Sequence, residues 1–183
     1  MGQDKALLPY RGMTLLEYVI ATVLEIEQDI VVVTDHRDRY RLSFGQVIED
    51  SYPGSGPVGG IVTGLMTLGQ GTHLVTACDM PGLKSAVLHQ LVKAASPDMD
   101  AVIPEIDGHL EPLCAVYRHS AMPKLMRFLE KGGMSAQEAV QTLLFKRVGE
   151  GVLRRIDPEL LCFANINTPD DLRQFLARMR NAS

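Results

Sequence analysis

With 183 residues, 46% hydrophobic and 22% charged, the chain has the length and balance of one globular α/β domain with a sizeable core. Its formal net charge is −4, and its Lys and Arg are scattered, the densest stretch, Arg37 to Arg41, being broken by Asp38. That excludes the clustered cations with which nucleic acids are usually gripped. The three cysteines, Cys78, Cys114 and Cys162, stand far apart and suggest neither a disulfide framework nor a zinc pair. No apolar stretch has the form of a signal peptide or membrane span, so a soluble protein of the reducing cytoplasm is expected, with no membrane partner.

The elements follow in chain order. Thr14 to Gln28 predicts a helix, with Thr14 as cap, Glu17 three residues on as in a capping box, and Leu15, Val19, Val23 and Ile26 on one face. The β-branched run from Asp29 to Thr34 predicts a buried strand, and a second short strand is expected at Gln46 to Ile48. The turn-rich segment Ser51 to Pro57 leads into a helix to about Leu68, with Pro57 in its first turn. A strand at His73 to Ala77 ends in Cys78, Asp79, Met80 and Pro81, before a helix from Lys84 to Ala95 and a strand from Ala101 to Pro104. Asp107 and Gly108 form a turn ahead of a strand from Leu113 to Tyr117. Helices are expected at Met122 to Glu130 and Ala136 to Leu144, with a strand near Val152 to Ile156. Phe163 to Asn167 reads as a last strand, and Thr168 with Pro169 opens the closing helix. Alternating short strands and amphipathic helices predict a three-layer α/β sandwich, its sheet mostly parallel, in a single domain.

In open α/β sheets, ligands bind beyond the carboxyl ends of strands. Glu49 with Asp50, Cys78 with Asp79, and Asn165 with Asn167 all fall at such ends. Asp79 is the sharpest: a carboxylate there can hold Mg²⁺, which takes few carboxylates and keeps waters and phosphate oxygens. It could equally cap the following turn. Lys5, after Gly2 and Asp4, can neutralise charge on a phosphoryl group, although alone it reads as an ordinary surface lysine. Gly54, Gly56, Gly59 and Gly60 suit close backbone approach to a ligand or to a packed helix. Asn165 and Asn167 share one face if their segment is a strand. The five histidines, His36, His73, His89, His109 and His119, show no metal-ligand spacing. Cys78 lacks the electropositive setting that activates a thiol. Met13, Met66, Met122, Met126 and Met134 read as core gap-fillers.

Together these segments resemble the molybdenum cofactor guanylyltransferase family. The run from Met1 to Pro9 looks like the end of that family's nucleotide loop, which opens with Leu-Ala-Gly-Gly. Ile48-Glu49-Asp50, Gly56 to Ile61, Ala77 to Pro81, Asp107-Gly108, Glu111-Pro112-Leu113 and Asn165 to Leu172 match further blocks in order. The resemblance implies a Rossmann-like fold of nucleotide-diphospho-sugar transferase type, here lacking its first strand and the start of its nucleotide loop. It implies that Mg²⁺ and GTP bind, and that molybdenum-molybdopterin attacks the α-phosphorus to form the guanine dinucleotide cofactor and pyrophosphate. Molybdoenzymes or their chaperones would be protein partners. By the same resemblance, Gly2 and Lys5 contact the nucleotide, Asp50 its guanine region, Asp79 both GTP and Mg²⁺, and Asn167, or Asn165, the metal. Asp107 to Pro112 would lie toward the pterin. Thr34 stands where family members can carry an Asn. Competing readings are an enzyme of the same fold using CTP or a sugar phosphate, and a non-catalytic cofactor-binding module without its nucleotide loop.

Overall fold

The computed structural model of the chain describes residues 4–42 and 44–181; Gly2 lies outside them. A 3-10 turn at Lys5–Leu7 precedes a small antiparallel ribbon, β1 (Pro9–Tyr10) with β2 (Met13–Thr14). Helix α1 (Leu15–Val23) starts on the expected capping box: Thr14 Oγ1 accepts from the Glu17 N–H, and Glu17 Oε2 accepts from the Thr14 N–H at 2.7 Å. It stops short of Gln28 because local side chains satisfy its end. Gln28 Nε2 donates to the Leu24 carbonyl, and Glu27 Oε1 accepts from the Gln28 N–H.

Strands β3 (Val31–Thr34) and β4 (Gln46–Glu49) pair in parallel. Helix α2 (Gly56–Leu68), with Pro57 in its first turn, packs on β3 and also on β5 (Thr72–Thr76). Then come α3 (Ser85–Ala94), β6 (Ala101–Ile106), β7 (His109–Leu110), β8 (Cys114–Arg118), α4 (Met122–Glu130), α5 (Ala136–Val140), β9 (Phe145–Gly149), α6 (Glu150–Leu153) and α7 (Pro169–Asn181). The main sheet runs β5-β8-β6-β7, with β9 against β6.

The expectation of a mostly parallel sheet is corrected in this main sheet. Strand β8 is antiparallel to both β5 and β6, β7 is antiparallel to β6, and β9 alone is parallel to β6. The cause is the Asp107-Gly108 turn, where both residues have positive φ (49° and 76°). That geometry suits a tight hairpin, so the chain returns beside β6 rather than crossing over through a helix. Because β8 lies between them, β5 and β6 run parallel and present their carboxyl ends on the same side.

Two predicted strands are not strands. Val152 to Ile156 lies in α6 and the turn after it, where Leu153 is fully buried and Glu150 pairs with Arg154 one turn on. The actual strand is β9, whose edge residues Lys146 and Arg147 are exposed and hide its apolar alternation. The segment Phe163 to Asn167 has no ladder: a 3-10 turn at Leu161–Phe163 runs into irregular chain. The helix expected to Leu144 ends at Val140. Of the methionines assigned to the core, Met13, Met66 and Met134 are exposed.

Apolar side chains pack on both faces of the main sheet. Val58, Val62 and Leu65 of α2 join Ile103, Tyr117 and Leu125 on one face. Val87, Leu88 and Leu91 of α3 join Val102, Val116 and Leu153 on the other. Gly82 makes one close approach possible: a Cβ there would lie 2.1 Å from the Leu161 carbonyl oxygen. That contact presses the segment after Asp79 against the chain leading to α7.

Candidate active site

Three segments distant in sequence converge beyond the carboxyl end of β5. Asp4 begins the first: its Oδ1 accepts from the Ala6 N–H, and its Oδ2 accepts from the Tyr40 hydroxyl at 2.6 Å. Burial, then the Asp4 carboxylate, pushes the Tyr40 hydroxyl well above its ordinary range, so it stays a donor. The next residue is Lys5, whose Nζ donates to Asp79 Oδ2 and to Asn167 Oδ1, both at 2.8 Å. The Asp79 carbonyl accepts from the Ile166 N–H, which docks the third segment beside the second. Thr168 caps α7, and Asp171 Oδ2 accepts from the N–H groups of Asn167 and Thr168. Asn167 is therefore fixed at its backbone while its amide oxygen meets the lysine.

Asp79 is 9% exposed. Its Oδ1 is buried and has no hydrogen-bond partner among the described residues. No N–H of the following turn donates to its side chain, which removes the turn-cap alternative. An ammonium has three donors, and the two bonds above leave Lys5 one to offer. Cys78 is inert: burial first, then the Asp79 charge, pushes its thiol up to about 11.

Asp50 stands apart, at the end of β4. Its Oδ1 accepts from the Thr63 hydroxyl at 2.7 Å and the Tyr52 N–H at 2.9 Å. Thr63 in turn accepts from the Ser51 N–H. A Cβ at Gly59 would come within 2.9 Å of Asp50 Oδ2 and 2.8 Å of the Tyr52 carbonyl, so glycine lets α2 approach this carboxylate. The structure thus unites Lys5, Asp79 and Asn167, and leaves Asp50 in its own network. Asn165 is exposed and makes no contact with that trio in the observed bonding. The Asp4–Tyr40 tie is unforeseen; its partners are 36 positions apart and no local pattern announces it.

This arrangement has relatives. Residues 1–146 match the model of the MobA-like NTP transferase domain. The chain belongs to the MobA-like NTP transferase family. A molybdenum cofactor guanylyltransferase of Desulfosudis oleivorans is 33% identical over 180 residues, 98% of this chain and 89% of that protein. A probable molybdenum cofactor guanylyltransferase of Chloroflexus aggregans is 35% identical, covering 89% of this chain and 79% of its own length. Among solved structures, molybdopterin-guanine dinucleotide biosynthesis protein A of Archaeoglobus fulgidus superposes with a TM-score of 0.82 at 30% identity, covering 98% of this chain and 92% of that one. The 2-C-methyl-D-erythritol 4-phosphate cytidylyltransferase of Thermus thermophilus shares the fold, with a TM-score of 0.73 at 17% identity, covering 96% of this chain and 94% of its own. As a member of the MobA-like family, the chain is an α/β nucleotidyltransferase. No helix among its described residues is long and apolar enough to cross a membrane.

Proposed function

We propose that the protein transfers GMP from GTP to molybdenum-molybdopterin, giving the guanine dinucleotide form of the cofactor and pyrophosphate. An oxygen of the acceptor's terminal phosphate forms a bond to the α-phosphorus of GTP as the bond from that phosphorus to the α,β-bridging oxygen breaks. Such chemistry needs alignment and charge dispersal rather than a covalent intermediate. Lys5 supplies a cation beside the reacting phosphates, held in place by Asp79 and Asn167. Asp50, fixed by Thr63 and Tyr52, reads the guanine side.

The residues present fit Mg²⁺. Asp79 Oδ1 is a buried carboxylate oxygen with no partner among the described residues, and Asn167 brings an amide oxygen to the same lysine. No cluster of three or more His, Cys, Asp or Glu able to hold a metal occurs among the described residues. That accords with a cation whose remaining ligands are waters and phosphate oxygens. Asp79, with Asn167, would hold it, and it would supply charge neutralisation on the triphosphate.

The single observation carrying this reading is the Lys5–Asp79 pair, 2.8 Å apart, with one carboxylate oxygen left over. The test is pyrophosphate release with GTP, Mg²⁺ and molybdopterin, repeated with CTP. Transfer with GTP is the expected result, and a preference for CTP sinks the guanylyl assignment.

The finer fold belongs to the same proposal. Among the described residues, β3 pairs only with β4 and β5 only with β8, while α2 packs on both β3 and β5. Val31, Val32, Val33, Leu74 and Val75 are only half-buried. A further strand seated between β3 and β5 would join the sheets into one central layer of a three-layer sandwich. A chain carrying an apolar strand ahead of residue 1 should then melt at a higher temperature; an unchanged Tm rejects the slot.

A further inference from the structure

The Tyr40 hydroxyl is bonded to a carboxylate that stands next to Lys5 in the chain. Asp4 carries the same pair of oxygens that an ammonium meets on Asp79, and it needs no long-range folding to come near the lysine. Both of its oxygens are engaged elsewhere. Oδ1 caps the 3-10 turn by accepting from the Ala6 N–H at 3.1 Å, and Oδ2 accepts from Tyr40 at 2.6 Å. The Lys5 ammonium is found on Asp79 and Asn167 instead, and no ion pair joins it to Asp4 among the described residues.

Tyr40 reaches that oxygen from a segment otherwise turned to solvent. Between Asp35 and Leu42 only Tyr40 and Leu42 are half-buried, with exposed Arg41 between them. Both pack against the small cluster of Ala6, Leu16 and Ile20, and Cys78 packs there too. The ring thus shares a cluster with the residue after Lys5 and the residue before Asp79. Burial first, then the Asp4 charge, raises the hydroxyl's pKa, against a smaller opposing bond from Thr34 at the end of β3. A protonated phenol has one hydrogen to give, and here it goes to Asp4. Being neutral, it fills Oδ2 without bringing a second cation to the site.

We propose that Tyr40 is a positioning residue for Lys5: by holding Asp4 Oδ2 it keeps the neighbouring carboxylate from taking the ammonium, so that Lys5 stays with Asp79 and Asn167 at the phosphates. The inference rests on the guanylyltransferase reading for the identity of those phosphates. Without the hydroxyl, Asp4 is left with a negative oxygen that has no donor. A half-buried carboxylate in that state is costly, and a charge-assisted bond to an ammonium relieves it. Lys5, its side chain 41% exposed, has the freedom to swing across. The Lys5–Asp79 pair then opens and the cation is lost to the site.

The experiment uses Tyr40→Phe, which keeps the ring in its cluster and removes only the hydroxyl. Two readouts are taken on the full chain below its melting temperature: GMP transfer, and calorimetric binding of inorganic tripolyphosphate with Mg²⁺, which needs neither base nor acceptor. Both should weaken roughly 10-fold, the lower end for a lost hydrogen bond to a charged group. Adding Asp4→Asn, whose amide keeps an oxygen for the Ala6 N–H and has no charge to draw the lysine, should restore most of the loss. In a Lys5→Ala background, Tyr40→Phe should change neither readout further. A tyrosine that only anchors its segment behaves otherwise, so a loss that persists with Asp4→Asn, or that adds to Lys5→Ala, overturns the proposal. So does a Tyr40→Phe chain with native transfer and affinity, or one that no longer folds, or a native protein that binds tripolyphosphate no better than Lys5→Ala. Tripolyphosphate binding that shows the rescue in a protein that transfers no GMP refutes the guanylyltransferase reading and leaves the role of Tyr40 standing.

Discussion

Three lysine–aspartate pairs among the described residues look alike by distance and differ in how completely the carboxylate is used. Lys84 donates to Asp157 Oδ1 at 2.6 Å, and Asp157 Oδ2 accepts from the Cys162 N–H. Lys124 donates to Asp100 Oδ2, which also accepts from the Leu144 N–H, while Ser120 donates to Oδ1. Both aspartates are buried and both oxygens of each are engaged. They fasten α3 to the segment after α6, and β6 to α4 and the start of β9. Asp79 is buried too, yet among the described residues only Lys5 bonds its side chain, through Oδ2, and Oδ1 is left over. Saturated carboxylates hold a fold together, whereas an unsaturated one beside a mobile-stemmed cation keeps binding capacity for a ligand.

Breaking the pairs one at a time sharpens this contrast. Asp79→Ala should lower GMP transfer by about 10²- to 10³-fold, the scale for losing a principal charge-stabilising group. Its Tm should change little, because Oδ1 has no partner among the described residues and Oδ2 is bonded to a Lys5 side chain that is 41% exposed. Retained turnover in the pyrophosphate assay would take Asp79 out of the mechanism. Lys5→Ala comes next, at about 10²-fold in kcat/KM, and a loss confined to KM would recast the lysine as a binding group only.

Asp157→Ala should do the reverse: about 2 kcal/mol of stability lost in urea melts, with transfer intact at low temperature. The figure is discounted because Lys84 is nearly half exposed, and the stranded Cys162 N–H makes up much of it. A variant as stable as the native chain would show this pair to be ornamental. Acid should act in the same direction. Burial raises the carboxyls of Asp157 and Asp100, but their lysine and N–H donors outweigh it and hold both below the ordinary carboxylate value. Their contribution is full above the unfolded value of about 3.9 and disappears as pH falls through the lower folded values. Thermal melts between pH 6 and 3 should show stability falling at the acid end, less steeply in Asp157→Ala. The smallest effect is expected of Asn167→Ala, roughly three- to tenfold in transfer, the worth of one neutral hydrogen bond; a much larger loss would give Asn167 a direct part with the metal.

The sequence makes some of this legible and hides the rest for physical reasons. The capping box at Thr14 and Glu17, Pro57 in the first turn of α2, and the β-branched run of β3 are local signals, and they place their elements within a few residues. Asp79 and Asn167 are visible as strand-end and helix-start residues, and the Lys5 side chain and the Ile166 N–H to Asp79 carbonyl bond bring the three together. Strand β9 escapes because Lys146 and Arg147 suit an edge, and Val152 to Ile156 misleads because a short apolar run fits either period. The antiparallel return of β8 depends on the positive φ of Asp107 and Gly108, whose turn is readable although its effect on sheet direction is not. The saturation of Asp157 and Asp100 is invisible in sequence: their donors lie up to 73 positions away, and only folding reveals which aspartate is left with an idle oxygen.

The Lys5–Asn167 bond spans 162 positions. A nascent chain emerging amino end first would carry its lysine and its aspartate long before the asparagine that completes the trio leaves the ribosome. A chain cut just ahead of Asn167 and α7 would keep every described strand, so the third member of the trio is added only by a segment that follows the whole described sheet.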